Sequence, residues 1–583
     1  MDRRSFLRTA GLTSAGVAIS STESFAADAL HSPRINLPPP QFQASTSRDR
    51  LKIQSDDLTP WAPSTAQPWD AHTIGHLYRR AGFGATLAEI AAAKLKSPSE
   101  VVDALLNDSL LSKKPADPRY SKAPASTPWL GVAPYVGTDY TKQQQQQSNY
   151  YTANMEIRRH WFVQLVQPEV MLRERLTMFW MNHFVVESKK VYYPQLMYSY
   201  LGYIREHAWG NFKKMVSDIS IHPAMLIYLD GIYNAGTSPN ENYARELQEL
   251  FAIGVTDKDG KANYSQYDVE AVAAALTGWT IDASQATLPA VYDKTRHNSS
   301  LQKIYDGTAR QYNLTASGAS MDKDLIDQIF DQRGDQIAWY ICSKLYQQFV
   351  YHDISGSSER AVIQAMATLF KNSNWELKPV LSALLKSAHF FDEANIGCQI
   401  KSPFDYLMTM VRGFGIPIPE NDPNGAGELT LGSLYVYALS GSQELLDPPN
   451  VKGWPGYHNW LSVTTLPNRN VASYALAFNG SLPVLGPTTD GYGNPFKPVT
   501  LTNDMVTNWG KQFVNYSGTF DDILKEVATF LCAQPPSATA LAYIKAKFPV
   551  QTYEWPLLND ALKQVALRVM AASIMQLADY QLS

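Results

Sequence analysis

Apolar positions recur at helical spacing along most of the chain, and alternating strand patterns are few. Asp70 stands as a cap before a run through His76-Leu77-Tyr78-Arg79-Arg80, with Gly82 as its stop. A further short helix is expected over roughly Leu87 to Leu106. From Tyr150 to Gly278 helical patterns follow one another almost without a break, and Leu172, Leu176, Phe179, Trp180 and His183 share one stripe. Ser238-Pro239-Asn240-Glu241 predicts a helix start with a cap and a first-turn proline, closed at Gly254. Ser265 with Asp268 three residues on is a capping-box pattern, and Val269, Val272, Ala273 and Leu276 line one face of the helix it opens. Helices resume from about Asp322 to Gly413, and again from residue 504 to Ser583.

The segments between these patterns are polar or rich in Pro and Gly. Residues 28–68 read as an extended Pro/Ser-rich leader, and residues 114–148 as a solvated loop ending in the glutamines Gln143 to Gln147. Residues 280–321 look irregular, Pro417 to Gly427 form a bend, Pro448 to Trp460 a loop, and 481–503 a linker. No repeat of fixed period is present. The expected fold is therefore mainly α: a large multi-helix domain over 69–480, with long irregular loops and little or no β. A C-terminal helical segment at 504–583 is expected to pack on that core.

Composition narrows the class of partner. The chain has 583 residues, of which 45% are hydrophobic and 18% charged, below the ~25% charge of an ordinary domain. A formal charge of −4 fits neither a nucleic-acid-binding protein nor a disordered acidic one. With 32 Tyr and 13 Trp, the surface suits neutral polar partners such as glycans.

The N-terminus predicts export. Asp2-Arg3-Arg4-Ser5-Phe6-Leu7 is a twin-arginine pattern, Ala10 to Ser20 is mildly apolar, and Ser24-Phe25-Ala26-Ala27 offers a cleavage site. A signal over 1–27 addresses the protein to the periplasm or beyond. No stretch reaches the ~18 apolar residues of a membrane span. The twin-arginine route carries folded proteins, which favours a cofactor without naming one. Cys342, Cys398 and Cys532 are odd in number and lack a C-x-x-C spacing, so a disulfide framework is excluded and a single bridge left open.

Common catalytic signatures are absent: there is no G-x-S-x-G, H-E-x-x-H, Walker loop or full G-x-G-x-x-G. The strongest constellation is the helix from Glu241 to Phe251. Tyr243, Leu247, Leu250 and Phe251 form its apolar stripe, with Asn242, Glu246 and Glu249 stacked along one edge. Two carboxylates at i, i+3 beside apolar surface suit a hard divalent cation or an acid/base pair, since partial desolvation and mutual repulsion raise one pKa. The competing reading is an exposed charged face in which Glu241 and Arg245 pair at i, i+4. His183 reads as a core histidine or a ligand, His222 as a cap, and His72 with His76 as an i, i+4 pair able to share a metal. Between Lys452 and Trp460, the residues Trp454, Tyr457, His458, Asn459 and Trp460 suit either a sugar-stacking loop or one pinned to the core.

At these residues the chain resembles the bacterial "domain of unknown function 1800" proteins. The resemblance rests on blocks in family order over residues 70 to 480: His76 to Gly84, Phe179 to Phe184, His222 to Met225, Asn240 to Phe251, Leu276 to Trp279 and Pro448 to Gly456. It implies a helical exported protein, often encoded beside a twin-arginine-exported "domain of unknown function 1501" protein, which becomes a candidate partner. Met181 stands where the family commonly has a further His, and Asn298 where it often has Asp.

Two functional expectations follow. In the first the protein is a hydrolase-like enzyme acting on an extracellular polymer or glycan. Glu246, Glu249, His183 and Asp268 would then serve catalysis or a metal, and Asn242, Arg245, Trp454, His458 and Trp460 would bind substrate. One helix cannot supply the opposed carboxylates of a glycosidase, so a partner acid such as Asp268 or Glu270 must come from another element. In the second the protein is a non-catalytic assembly or binding protein, with Glu241, Arg245, Glu246 and Asp268 in a structural ion-pair network.

Overall fold

Asp70 caps the first helix as its position predicts. Its side chain accepts from the His72 N–H at 2.9 Å while the Thr73 hydroxyl accepts from the Asp70 N–H, and the helix stops at Gly82. The computed structural model describes residues 52–107, 134–135, 137–165, 171–307, 310–311, 325–417, 434, 437–438, 440–482 and 497–583. The expected export signal over 1–27, residues 28–51 of the expected leader, most of the 114–148 insertion, nearly all of the 417–427 bend and the middle of the 481–503 linker lie outside the described residues.

The chain is mainly helical. The elements are α1 (Ala71–Ala81), α2 (Leu87–Ala93), α3 (Pro98–Leu105), α4 (Tyr140–Leu165), α5 (Met171–His183), α6 (Ser188–Val191) and α7 (Pro194–Glu206). Next come α8 (Phe212–Ser220), α9 (Pro223–Tyr228), α10 (Glu241–Glu246) with a π-turn over Leu247–Ala252, and α11 (Gln266–Ala275). The second half holds α12 (Asp327–Phe349), α13 (Ser357–Asn372), α14 (Leu377–Lys386), α15 (Pro403–Gly413) and α16 (Thr465–Ala477). It closes with α17 (Asn503–Gly510), α18 (Phe520–Leu531), α19 (Ala538–Lys545) and α20 (Asp560–Met575). Strands among the described residues form three two-stranded antiparallel pairs, two of them within the stretch expected to be irregular: Trp279–Ile281 with Ala290–Tyr292, and Leu301–Gln302 with Arg310–Gln311.

Several expectations change in detail. Gln143 to Gln147 are solvent-facing but lie in α4, not at the end of a loop. Gln is a good helix former, and i, i+4 bonds from Gln144 to the Tyr140 hydroxyl and from Gln145 to Asn149 support it. The single helix expected over 87–106 is two. Ser97 and Glu100 form a capping box and Pro98 occupies the first helical position, where its missing N–H costs nothing. The cap of α10 is Asn240, whose side chain accepts from the Asn242 N–H at 3.0 Å, so Ser238 and Pro239 precede the helix. Gly254 closes the π-turn at φ +81°, a backbone position where a Cβ would strike the Tyr340 ring.

Helix α5 lies at the centre, buried on every side except at Asn182. The apolar stripe alone does not explain that burial, because Arg173, Glu174 and Arg175 are buried as well. Glu174 pairs with Arg205 of α7 and accepts from the Trp161 indole N–H of α4 at 2.9 Å. Arg175 pairs with Asp405 of α15 and donates to the Gly82 carbonyl at the end of α1. Arg80 donates to the carbonyls of Phe349 (2.9 Å) and Gln348 (2.6 Å), where α12 ends. Buried guanidinium groups thus satisfy carbonyls that helix termini leave without partners. Some of the sparse charges of this chain are therefore interior ones.

The C-terminal helices pack back on this body, α18 against α1 and α20 against α16. The end of the leader also docks: Trp61 donates its backbone N–H to Lys386 at 2.8 Å and stacks on Phe391 at 4.4 Å. Cys342, Cys398 and Cys532 are buried free thiols. Among the described residues no helix is long and apolar enough to cross a membrane.

Candidate functional site

A cavity of about 410 Å³ opens between α5, the C-terminal half of α12, the start of α15 and the loop at 452–460. Phe179, Asn182 and His183 come from α5, and Lys344, Gln347, Gln348 and His352 from α12 and the turn after it. Lys452, Trp454, Tyr457 and Trp460 come from the loop.

Asn182 holds the loop in place. Its Oδ1 accepts from the Trp454 backbone N–H at 2.6 Å, and its amide faces the Trp454 carbonyl at 3.4 Å. The approach requires Gly453, whose φ is +79° and whose missing Cβ would lie 2.6 Å from the Asn182 carbonyl oxygen. Trp454 and Trp460 are buried, Tyr457 stacks on His352 at 3.5 Å between ring centres, and His458 is exposed at the rim. The loop is therefore both pinned by its tryptophans and part of the cavity wall. Gly453→Ala is expected to destabilise the protein by on the order of 2 kcal/mol, through left-handed strain plus the clash with Asn182. Urea unfolding midpoints check this, and an unchanged midpoint would show that the loop is not clamped there.

The cavity is cationic within a chain of net negative charge. Arg80, Arg175, Lys344 and Lys452 line it, and its carboxylate Asp405 is already paired with Arg175. Lys344 makes no hydrogen bond or ion pair among the described residues. Its ammonium lies 4.9 Å from the Tyr340 ring centre, and burial lowers its pKa to about 8. His183 is buried, and its Nε2 donates to the Phe251 carbonyl of the π-turn at 2.8 Å. That bond leaves Nδ1 as a bare acceptor without a partner among the described residues. Burial and the nearby Lys344 charge hold its pKa well below the usual histidine value, so the ring is neutral.

Because Lys344 has a folded pKa below its unfolded value of 10.5, its burial penalty is fully present below pH 8 and relieved between pH 8 and 10.5. Lys344→Met is therefore expected to stabilise the protein at pH 7 by on the order of 1–2 kcal/mol, after allowance for partial exposure. Melting curves should show that gain shrinking towards pH 10.5; a variant less stable than the parent at pH 7 would contradict it.

The carboxylate pair lies beside the cavity, not in its lining. Glu246 ends α10 and is half-buried, with no hydrogen bond or ion pair among the described residues. Desolvation and the Glu249 charge raise its pKa, opposed by Lys452 and Arg245. Glu249, in the π-turn, accepts from the Tyr264 hydroxyl at 3.4 Å and stands 3.9 Å from the Lys452 ammonium. Lys452 belongs to both places and links them. Glu187, from the turn before α6, accepts from the Tyr228 hydroxyl at 2.9 Å, and the charges of Glu187 and Glu246 both act on that phenol.

The other expected site residues are placed elsewhere or occupied. Asp268 caps α11: its Oδ2 accepts from Ser265, and its Oδ1 from the Tyr305 N–H at 2.6 Å. Arg245 pairs with Glu241 at 2.8 Å and with Gln266 at 3.0 Å, and Asn242 is exposed 3.3 Å from Asp230. His72 pairs with Glu393 while His76 is buried against the Phe390 carbonyl, so the two do not converge. His222 caps α9 through Nδ1. Among the described residues no three His, Cys, Asp or Glu side chains come together as a metal site.

A family model described as "Protein of unknown function (DUF1800)" matches residues 76–582. The chain belongs to this family. No curated protein and no solved structure matches it. In this DUF1800 member three separated blocks meet at the cavity: the first contributes Arg80, the second Phe179, Asn182 and His183, and the last Lys452, Trp454, Pro455 and Gly456. Met181 is buried in the core and Asn298 bonds to Thr277 and Gly236, so neither departure from the family pattern lines it. Lys344 and His352 lie outside every block and carried no sequence signal.

Proposed function

We propose that the protein is a hydrolase-like enzyme, exported by the twin-arginine route to the periplasm or beyond, that acts on an extracellular polymer of glycan type. The observation that carries this reading is a half-buried carboxyl, Glu246, without a hydrogen bond or ion pair among the described residues, beside a concave cavity with an aromatic wall. The pattern of residues 2–27 supports export.

A polymer lying in the cavity passes Lys452 to reach the carboxylates. Glu246 is the proton donor: its raised pKa keeps a proton available for the leaving oxygen as the glycosidic C–O bond breaks. Water adds its hydroxyl at the carbon, and its proton passes to a second carboxylate. Glu249 shares a helical segment with Glu246 and cannot oppose it. Asp268 is committed to its cap. Glu187 comes from a separate element, bonds the Tyr228 phenol on which the Glu246 charge also acts, and takes the role of base in this reading. Trp454 and Trp460 keep the wall in place, with Tyr457 as its accessible ring.

Incubating the mature protein with a panel of extracellular polysaccharides and assaying new reducing ends tests the reading. Cleavage that Glu246→Gln abolishes supports it. Absence of cleavage by the folded protein across the panel would overturn it in favour of a binding or assembly role with a co-exported "domain of unknown function 1501" partner. The position of Glu246 and Glu249 outside the cavity lining favours that second reading, as does the bonded set Glu241, Arg245 and Gln266.

A further inference from the structure

The cavity carries more positive charge than a site for a neutral sugar needs, and its least explained member is Lys344. A partly buried ammonium without an anion costs some stability, and a neutral side chain of similar size would fill the same space without that cost. Its neighbours offer no relief: Asp405 is held by Arg175, and His183, whose pKa the Lys344 charge helps to lower, is neutral and presents an unpartnered Nδ1. His352, on the other side, has a second buried Nδ1 without a partner among the described residues. Tyr457 stacks on the His352 ring and extends the wall towards solvent.

We propose that this cavity is a subsite for an acidic saccharide, in which Lys344 is the counter-ion to an oxyanion substituent of the sugar, a carboxylate or a sulfate ester. The sugar ring then lies along the Tyr457 side of the wall. Arg80 and Arg175 add long-range attraction while their own hydrogen bonds stay committed to carbonyls and to Asp405. The carbon skeleton suits the aromatic wall, and the charge suits the floor. This inference rests on the glycan reading above and specifies its substrate class. It also accounts for keeping a costly lysine in a position that no family block marks.

Titration calorimetry on the full mature protein tests it with three probes of equal length: a trisaccharide of hexuronic acid, a sulfated trisaccharide and neutral maltotriose. One acidic probe is expected to bind at least about tenfold more tightly than maltotriose, with affinity falling as salt is raised. The acidic probe that binds identifies the substituent. Lys344→Met should lower that affinity about tenfold or more and leave maltotriose unaffected, while Lys344→Arg retains part of it. A melting curve establishes that each variant is folded. Equal affinity for all three probes, no binding of either acidic probe, or an unchanged affinity in Lys344→Met would overturn the proposal. The enzyme reading fails separately. Lys344-dependent binding without any cleavage of the bound saccharide would remove the hydrolase and leave the acidic subsite standing.

Discussion

Glu246→Gln is expected to reduce turnover by about 10²–10⁴-fold while leaving the protein folded and at least as stable as the parent. Glutamine keeps the size and hydrogen-bonding reach of the side chain but has no proton to deliver to a leaving oxygen. Stability should not fall, because the folded state disfavours the ionised carboxyl. Burial and Glu249 raise the Glu246 pKa, so above that pKa the native state carries an ionisation penalty that glutamine removes. The same shift fixes the sign of the pH dependence. As a proton donor Glu246 is active when protonated, so the rate declines as pH rises through its raised pKa. Lys452 lowers that pKa, so Lys452→Met should carry the declining limb to higher pH. Initial rates of reducing-end release across pH check both statements. A Glu246→Gln protein that cleaves at the parental rate would remove Glu246 from the mechanism.

The second large effect is on folding. Glu174→Ala is expected to destabilise the protein by about 3–5 kcal/mol. It would leave the buried Arg205 guanidinium of α7 without its carboxylate and the Trp161 indole N–H of α4 without an acceptor, both against the helix that carries Asn182 and His183. The cost comes mostly from the orphaned charge. Replacing both members, as in Glu174→Leu with Arg205→Met, should therefore recover much of the loss. Urea unfolding of the parent, both single variants and the double variant measures this. A double variant no more stable than Glu174→Ala would contradict the orphaned-charge explanation.

These two predictions sit on different kinds of legibility. Glu246 was visible in the sequence, because two carboxylates at i, i+3 beside an apolar stripe stand out in a chain with few charges. The pair Glu174–Arg205 was not. Its partners lie on different helices, and the helical stripe containing Leu172 and Leu176 gave no sign that the opposite face would be buried too. Caps were readable for the same reason as Glu246. Asp70, and Ser265 with Asp268, act within one turn of chain, so their geometry follows from spacing. The cap of α10 moved by two residues to Asn240, since Ser238, Pro239 and Asn240 compete for a role that the surrounding turn decides.

The cavity belongs to the other class. Asn182 and Gly453 are far apart in the chain and meet only because a backbone without Cβ can approach that amide. His183 falls on an apolar stripe, but its neutrality depends on burial and the nearby Lys344 charge, and its bare Nδ1 on Nε2 being taken by the Phe251 carbonyl of a π-turn that no local pattern announced. Lys344 looks like any surface lysine in its own helix. What makes it exceptional is that the carboxylate other segments bring to the cavity, Asp405, is already held by Arg175, which spacing along one helix cannot report.

By itself the sequence determined the helical class, a few helix boundaries such as Asp70, Gly82 and Ser265, and the carboxylate pair, because each is set by interactions within a few residues. Only the tertiary structure decided which charges are buried, that Asp268 is committed to a cap, and that three separated blocks enclose one cationic, aromatic cavity. Burial, desolvation and charge pairing depend on what distant segments bring to the same place, and that information exists only once the chain has folded.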